Sequence, residues 1–145
     1  MKIVVLSSSG ILLLWFTFDI TGLKLGSTRL VASAFIDEPI DFVFYLIFVG
    51  CIIFFILKDK IGKYLLFGFL LLWGGFQFTV YFKTGESITS YNNFFADTHH
   101  IIAPSQDTLI KDTYHIFLDI FIVLTLTAVI AFLITAIVLN KKKSK

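Results

Sequence analysis

The chain has little of what organises most soluble proteins. Only 15% of its 145 residues are charged, and it holds one cysteine, two prolines and one methionine. So little charge excludes an ordinary soluble domain, in which about a quarter of residues carry charge. The lone Cys51 can make neither an intrachain disulfide nor a Cys-x-x-Cys redox pair. Thiol-relay chemistry is thereby disfavoured, and Cys51 reads as a small apolar packing residue. Two prolines and nine scattered glycines leave no proline-rich linker and no Gly/Ser tether. There is no internal repeat of about 20 to 50 residues. There is no Asn-x-Ser/Thr acceptor, because Asn92 and Asn93 are followed by phenylalanines. No His-Glu-x-x-His signature occurs either.

What is present is apolar. Hydrophobic residues make up 57% of the chain, and its mean hydropathy of +0.90 excludes intrinsic disorder. Four runs approach the roughly 20 residues that cross a bilayer as a helix. They cover about 3–20, 40–57, 64–82 and 114–139. A helix is the one single-segment structure that satisfies its own backbone in lipid. The expectation is an all-α integral membrane protein, with four transmembrane helices bundled into a single domain over 1–145. The first run follows Lys2 as a signal peptide would, but no small-x-small cleavage site lies close behind it, so it reads as a span.

The net charge of +2 conceals an asymmetry. With four spans, Lys2, Lys58, Lys60, Lys63, Lys141, Lys142, Lys143 and Lys145 share one side with a single acid, Asp59, giving +7. Lys24, Arg29, Lys83 and Lys111 share the other with nine acids, giving −5. Lysine-rich short loops remain in the cytoplasm, so both termini are expected there, with the chain in the plasma membrane. The terminal Lys-Lys-Lys-Ser-Lys reads as a solvated run attracted to anionic lipid.

The two outer segments differ. Residues 30, 31, 34 and 35 are apolar against Arg29, Ser33 and Asp37, a helical stripe that predicts a short interfacial helix over about 27–37, ended by Pro39. Residues 83–113 are too many for a structureless loop. Their apolar pairs, Phe94-Phe95 and Ile101-Ile102, predict a lid folded back on the helix ends.

The polar chemistry collects on this outer side. At 1.5 Å rise per residue, Asp19, Asp41 and Asp119 each lie about 11 Å from the middle of their spans, displaced outward. Gln77 is slightly deeper and Tyr81 is near their level. Charged side chains at such depth usually face the bundle interior and pair. Asp19, Asp41, Gln77, Tyr81 and Arg29 are therefore the expected binding residues for a cation or polar head group. The bland alternative is that the aspartates cap helices or reach to the interface, as Asp41 can from the first turn of its span. His115 and Asp119 are i, i+4 on one helix face and are the candidate catalytic base and its orienting acid. His99, His100, His115 and Asp119 are the ligand types for a divalent metal such as zinc. Adjacent histidines in an extended strand, however, point apart.

Two functions are open from sequence alone. The first is a polar Asp/His site at the outer face, with action on a lipid or lipid-linked substrate as its enzymatic version. The second is a non-enzymatic accessory, immunity or regulatory protein that recognises a membrane partner, or another copy of itself, through the 83–113 loop. Conduction ranks lowest, because the inner halves of the spans are almost without polar residues.

Overall fold

The computed structural model describes residues 1–33, 35, 39–103 and 108–143. In chain order they form helix α1 (Lys2–Thr21), strands β1 (Leu23–Leu25) and β2 (Thr28–Val31), helices α2 (Pro39–Leu57) and α3 (Asp59–Thr79), a 3-10 turn (Val80–Phe82), helix α4 (Glu86–Phe94) and helix α5 (Thr113–Lys143). Among the described residues, four helices are long and apolar enough to cross a membrane: Lys2–Thr21, Pro39–Leu57, Asp59–Phe82 and Thr113–Leu139. The third begins five residues before the apolar run suggested. Asp59 supplies a carboxylate to its positive end. The Lys63 ammonium lies 5.1 Å from the centre of the Tyr64 ring and 6.0 Å from that of Phe132.

Each long helix packs on two others: α1 on α2 and α5, α3 on α2 and α5. The seam is aromatic. Phe16 meets Trp73 at 4.4 Å between ring centres, and Phe48 stacks on Phe69 at 5.5 Å. Trp15 and Tyr114 stack at 5.5 Å and tie α1 to α5 twice more, since each donates a hydrogen bond to the other's backbone carbonyl. The flanks of all four helices remain apolar and exposed, including Leu14, Leu46, Leu72 and Leu124.

One residue, Lys58, separates α2 from α3. So tight a reversal brings backbone onto backbone: a Cβ at Gly62 would lie 2.4 Å from Phe55 Cα. Only glycine permits that approach. Gly74 plays a milder version of the same part, with Ile122 of α5 3.3 Å from where its Cβ would be.

The expected interfacial helix is not formed over residues 27–33. The chain makes an antiparallel hairpin, with Leu25 opposite Thr28 and Leu23 opposite Val31. The apolar stripe misled because its decisive members Leu30 and Val31 are consecutive, and a strand buries them as readily. The competing signal was Gly26-Ser27. A two-residue loop opening on glycine favours a primed hairpin turn, and Gly26 does adopt φ 64. Ala34, Ile36 and Asp37 of the predicted helix lie outside the described residues. Pro39 begins α2, where its missing N–H leaves nothing unsatisfied; the predicted helix end just before it lies outside the described residues.

Candidate functional site

At one end of the helices the hairpin and the 83–113 segment are joined. Thr98 bridges Arg29 in parallel, and His99 N–H donates to Arg29 O at 2.8 Å. The Arg29 guanidinium pairs with Asp97 at 3.0 Å. Thr113 N–H donates to His99 O at 2.8 Å, returning the chain to α5. Within the segment, buried Asn92 donates to Thr108 O at 2.8 Å and accepts from Ile110 N–H at 3.3 Å. The segment therefore folds back, as expected, but only one of its apolar pairs has a share in this. Phe95 packs edge-on to His115 at 4.8 Å, whereas Ile101 and Ile102 are 60% and 64% exposed.

The first turns of α5 carry the charge. Asp112 is fully buried and caps the helix: Oδ1 accepts from His115 backbone N–H at 2.8 Å. The same oxygen meets His115 Nδ1 at 2.7 Å. The acid that orients His115 is thus Asp112, not Asp119. Three residues apart across a cap, Asp112 reaches both the backbone and the ring. Asp119, one turn beyond His115, is engaged elsewhere.

Asp119 Oδ2 receives Lys111 Nζ at 2.7 Å and the Tyr81 hydroxyl at 3.1 Å. Lys111 also donates to Gln77 O at 3.0 Å and lies 4.6 Å from the centre of the Tyr81 ring. The side chains of the ion pair are only 2% (Lys111) and 10% (Asp119) exposed. Gln77 lies in the last turn of α3, whose carbonyls have no partner within the helix, and the ammonium closes one of them at the negative helix end. Two acceptors and a ring face account for Lys111. Asp119 Oδ1 and Asp112 Oδ2, by contrast, are buried with no hydrogen-bond partner.

Two clefts flank this cluster. One, of about 350 Å³, is lined by Phe78, Tyr81, Ile116, Asp119, Ile120, Val123 and Leu124 and opens sideways between α3 and α5. The other, of about 360 Å³, contains Ile40, Asp41, Phe44, Trp73, Phe76 and Gln77. Asp41 and Gln77 thus share one cleft, while Tyr81 and Asp119 share the other. Asp19 is buried near the C-terminal end of α1 and, like Asp41, is engaged by other groups. The Tyr114 hydroxyl lies within electrostatic reach of Asp19, Asp41 and Asp112. Arg29 lies apart from both clefts, in a groove of about 630 Å³ beneath the lid with Asn93, Phe95 and Asp97.

The four expected metal ligands are not gathered. His99 Nδ1 meets Thr113 Oγ1 at 2.7 Å, and His100 Nε2 meets Phe95 O at 2.8 Å. His115 is on Asp112 and Asp119 on Lys111. Among the described residues no group of three His, Cys, Asp or Glu side chains is set to hold a metal ion.

Tyr91, in α4 above the cluster, has its hydroxyl pushed well above the usual tyrosine range, first by burial and then by the charges of Asp112 and Asp119. Two members of the cluster escaped the sequence reading. Lys111 gives no helical spacing to Asp119, because it precedes α5. Asp112 did carry a signal, an aspartate just before a helix start. No protein family, curated protein or solved structure matches the chain.

Proposed function

We propose that this chain is a four-span bundle of the plasma membrane, with both termini in the cytoplasm, that binds a cation or the polar end of an amphiphile at its outer face. The observation that carries this reading is the buried Lys111–Asp119 pair, joined by the hydroxyl of the exposed Tyr81, beside a cleft otherwise walled by apolar side chains. Ionised groups inside an apolar span are costly and tend to mark functional sites. The lysine-rich end supports the orientation: Lys2 bonds to Ile56 O at 3.2 Å and pairs with Asp59 at 3.8 Å, so the N-terminus and the α2–α3 turn share one end.

Any acid–base work would fall to His115 held by Asp112, in place of the expected His115–Asp119 pair. Photolabelling tests the binding reading. A diazirine-bearing lipid should mark residues 76–82 and 116–124 well above the lipid-facing flank of α2 at Val43, Leu46 and Ile53; equal labelling overturns it. An impermeant maleimide should label a cysteine placed at Ser87, but not one at Lys60, in intact cells of a Cys51→Ala background.

A second reading, recognition of a membrane partner through the 83–113 loop, is favoured by the exposure of Ile101 and Ile102 outside the spans. A partner retained in mild detergent by the natural chain and lost with Ile101→Ser/Ile102→Ser supports it; retention by both overturns it.

A further inference from the structure

The hairpin carries two cations on one face. Its Gly26-Ser27 turn sets Leu25 opposite Thr28 and Lys24 opposite Arg29. Side chains directly opposite in an antiparallel pair lie about 4.5 to 5.5 Å apart at Cβ, and like charges there are destabilising. Arg29 is held from its other side: Thr98 bridges it, and Asp97 takes its Nη1 at 3.0 Å. Lys24 stands exposed on β1, and among the described residues no ion pair engages its ammonium. Lys24 and Arg29 against Asp97 leave one positive charge.

Both cations line a cleft of about 410 Å³ with Thr21, Val31 and Ser33. That volume is within the range of ligand sites, roughly 300 to 1,000 Å³. The described lining residues include no acid. The cleft lies against the end of α1, whose last carbonyls attract cations. Lys24 does not serve them, because Ser33 Oγ donates to Ile20 O at 2.9 Å. The Thr21 hydroxyl is likewise committed, to Thr17 O at 2.9 Å. The side-chain donors left to the cleft are the Lys24 ammonium and the Arg29 guanidinium.

From two opposed cations lining one cleft, we propose a second site, for the phosphodiester group of an anionic lipid or of a soluble ester of the same chemistry. It is separate from the Asp119 cleft and does not depend on it. The single negative charge of a phosphodiester matches the surplus. Its two unesterified oxygens let one anion meet both cations, which relieves their repulsion. The guanidinium has donors beyond the Nη1 that Asp97 holds. Asp97 and the His99 N–H, which donates to Arg29 O at 2.8 Å, are positioning groups. They fix Arg29 from the lid side, and Lys24 closes on the anion from β1.

The test is binding to the purified full chain in a neutral maltoside detergent at pH 7. The probes are dihexanoylphosphatidylglycerol, dihexanoylphosphatidylcholine and the chainless glycerophosphoglycerol. The phosphatidylglycerol should bind, and the phosphatidylcholine, whose own cation Lys24 repels, should bind at least tenfold more weakly. Lys24→Gln keeps the Arg29–Asp97 pair and should weaken the phosphatidylglycerol about tenfold, the scale of one charged hydrogen bond, as should Arg29→Gln. Lys24→Arg should retain binding. Lys83→Gln, the same change of charge elsewhere at this end, should leave it unaltered. Glycerophosphoglycerol bound at least as tightly as the lipid, with the same loss on Lys24→Gln, supports the site with a soluble ester as its ligand; weaker binding supports it with a lipid. The inference is overturned if neither glycerol probe binds, if the two lipids bind alike, or if Lys83→Gln costs as much as Lys24→Gln.

Discussion

The two ends of the helices are held by different physics. At the lysine-rich end the contacts are backbone proximity and surface charge: a one-residue turn, Gly62 against Phe55, and a Lys2–Asp59 pair at 3.8 Å whose side chains are 38% and 51% exposed. At the opposite end the pair is 2.7 Å long and buried, a lid and a hairpin cover the helix ends, and a capping acid holds a histidine. Both ends contain a lysine and an aspartate. Exposed pairs contribute about 0 to 1 kcal/mol, whereas loss of one partner from a buried pair costs about 3 to 5 kcal/mol, because the other charge is left unpaired. The same residue types therefore anchor one end and merely decorate the other.

Three single substitutions and one double variant sharpen or break this contrast. The largest effect is expected from Asp119→Asn, which leaves buried Lys111 without its counter-charge and should destabilise by about 3 to 5 kcal/mol in reversible denaturation in mixed micelles. The double change Lys111→Met/Asp119→Leu should restore most of that, since replacing a buried pair by apolar groups is often near neutral. A double variant as unstable as the single one would show that the pair is not the source. Next comes Gly62→Val at the other end. Overpacking costs about 1 to 3 kcal/mol, and with Phe55 backbone in the way the upper part of that range is expected. The smallest is Asp59→Ala, expected to change stability by under about 1 kcal/mol and to vanish in high salt. A loss from Asp59→Ala comparable with that from Asp119→Asn would erase the distinction between the ends.

The four long apolar helices were legible because hydropathy needs no tertiary knowledge. Their ends were less so, since Asp59, Lys60 and Lys63 belong to a helix although they are charged. The 27–33 segment failed for an instructive reason. Leu30, Val31 and Ser33 satisfy a helical period over so short a stretch, and the Gly26-Ser27 turn carried the decisive information. In the site, depth along the helices predicts one outer layer for Asp19, Asp41 and Asp119. It could not say which polar groups meet. His115 and Asp119 share a helix face, yet their partners, Asp112 and Lys111, come from the segment that leads into the helix. Those pairings depend on how the chain enters α5, which no periodicity within the helix reports.

The proximity of Lys111 to Asp119 in sequence also bears on how the protein is made. Lys111 and Asp119 leave the ribosome within nine residues of one another, on one segment. In the proposed membrane setting, the fourth long helix would enter a bilayer with its acid already neutralised, which lowers the insertion cost of a bare carboxylate before any tertiary contact forms. When that helix docks, the same ammonium reaches Gln77 O and finishes the end of the third. The same charge pair thereby latches α3 to α5.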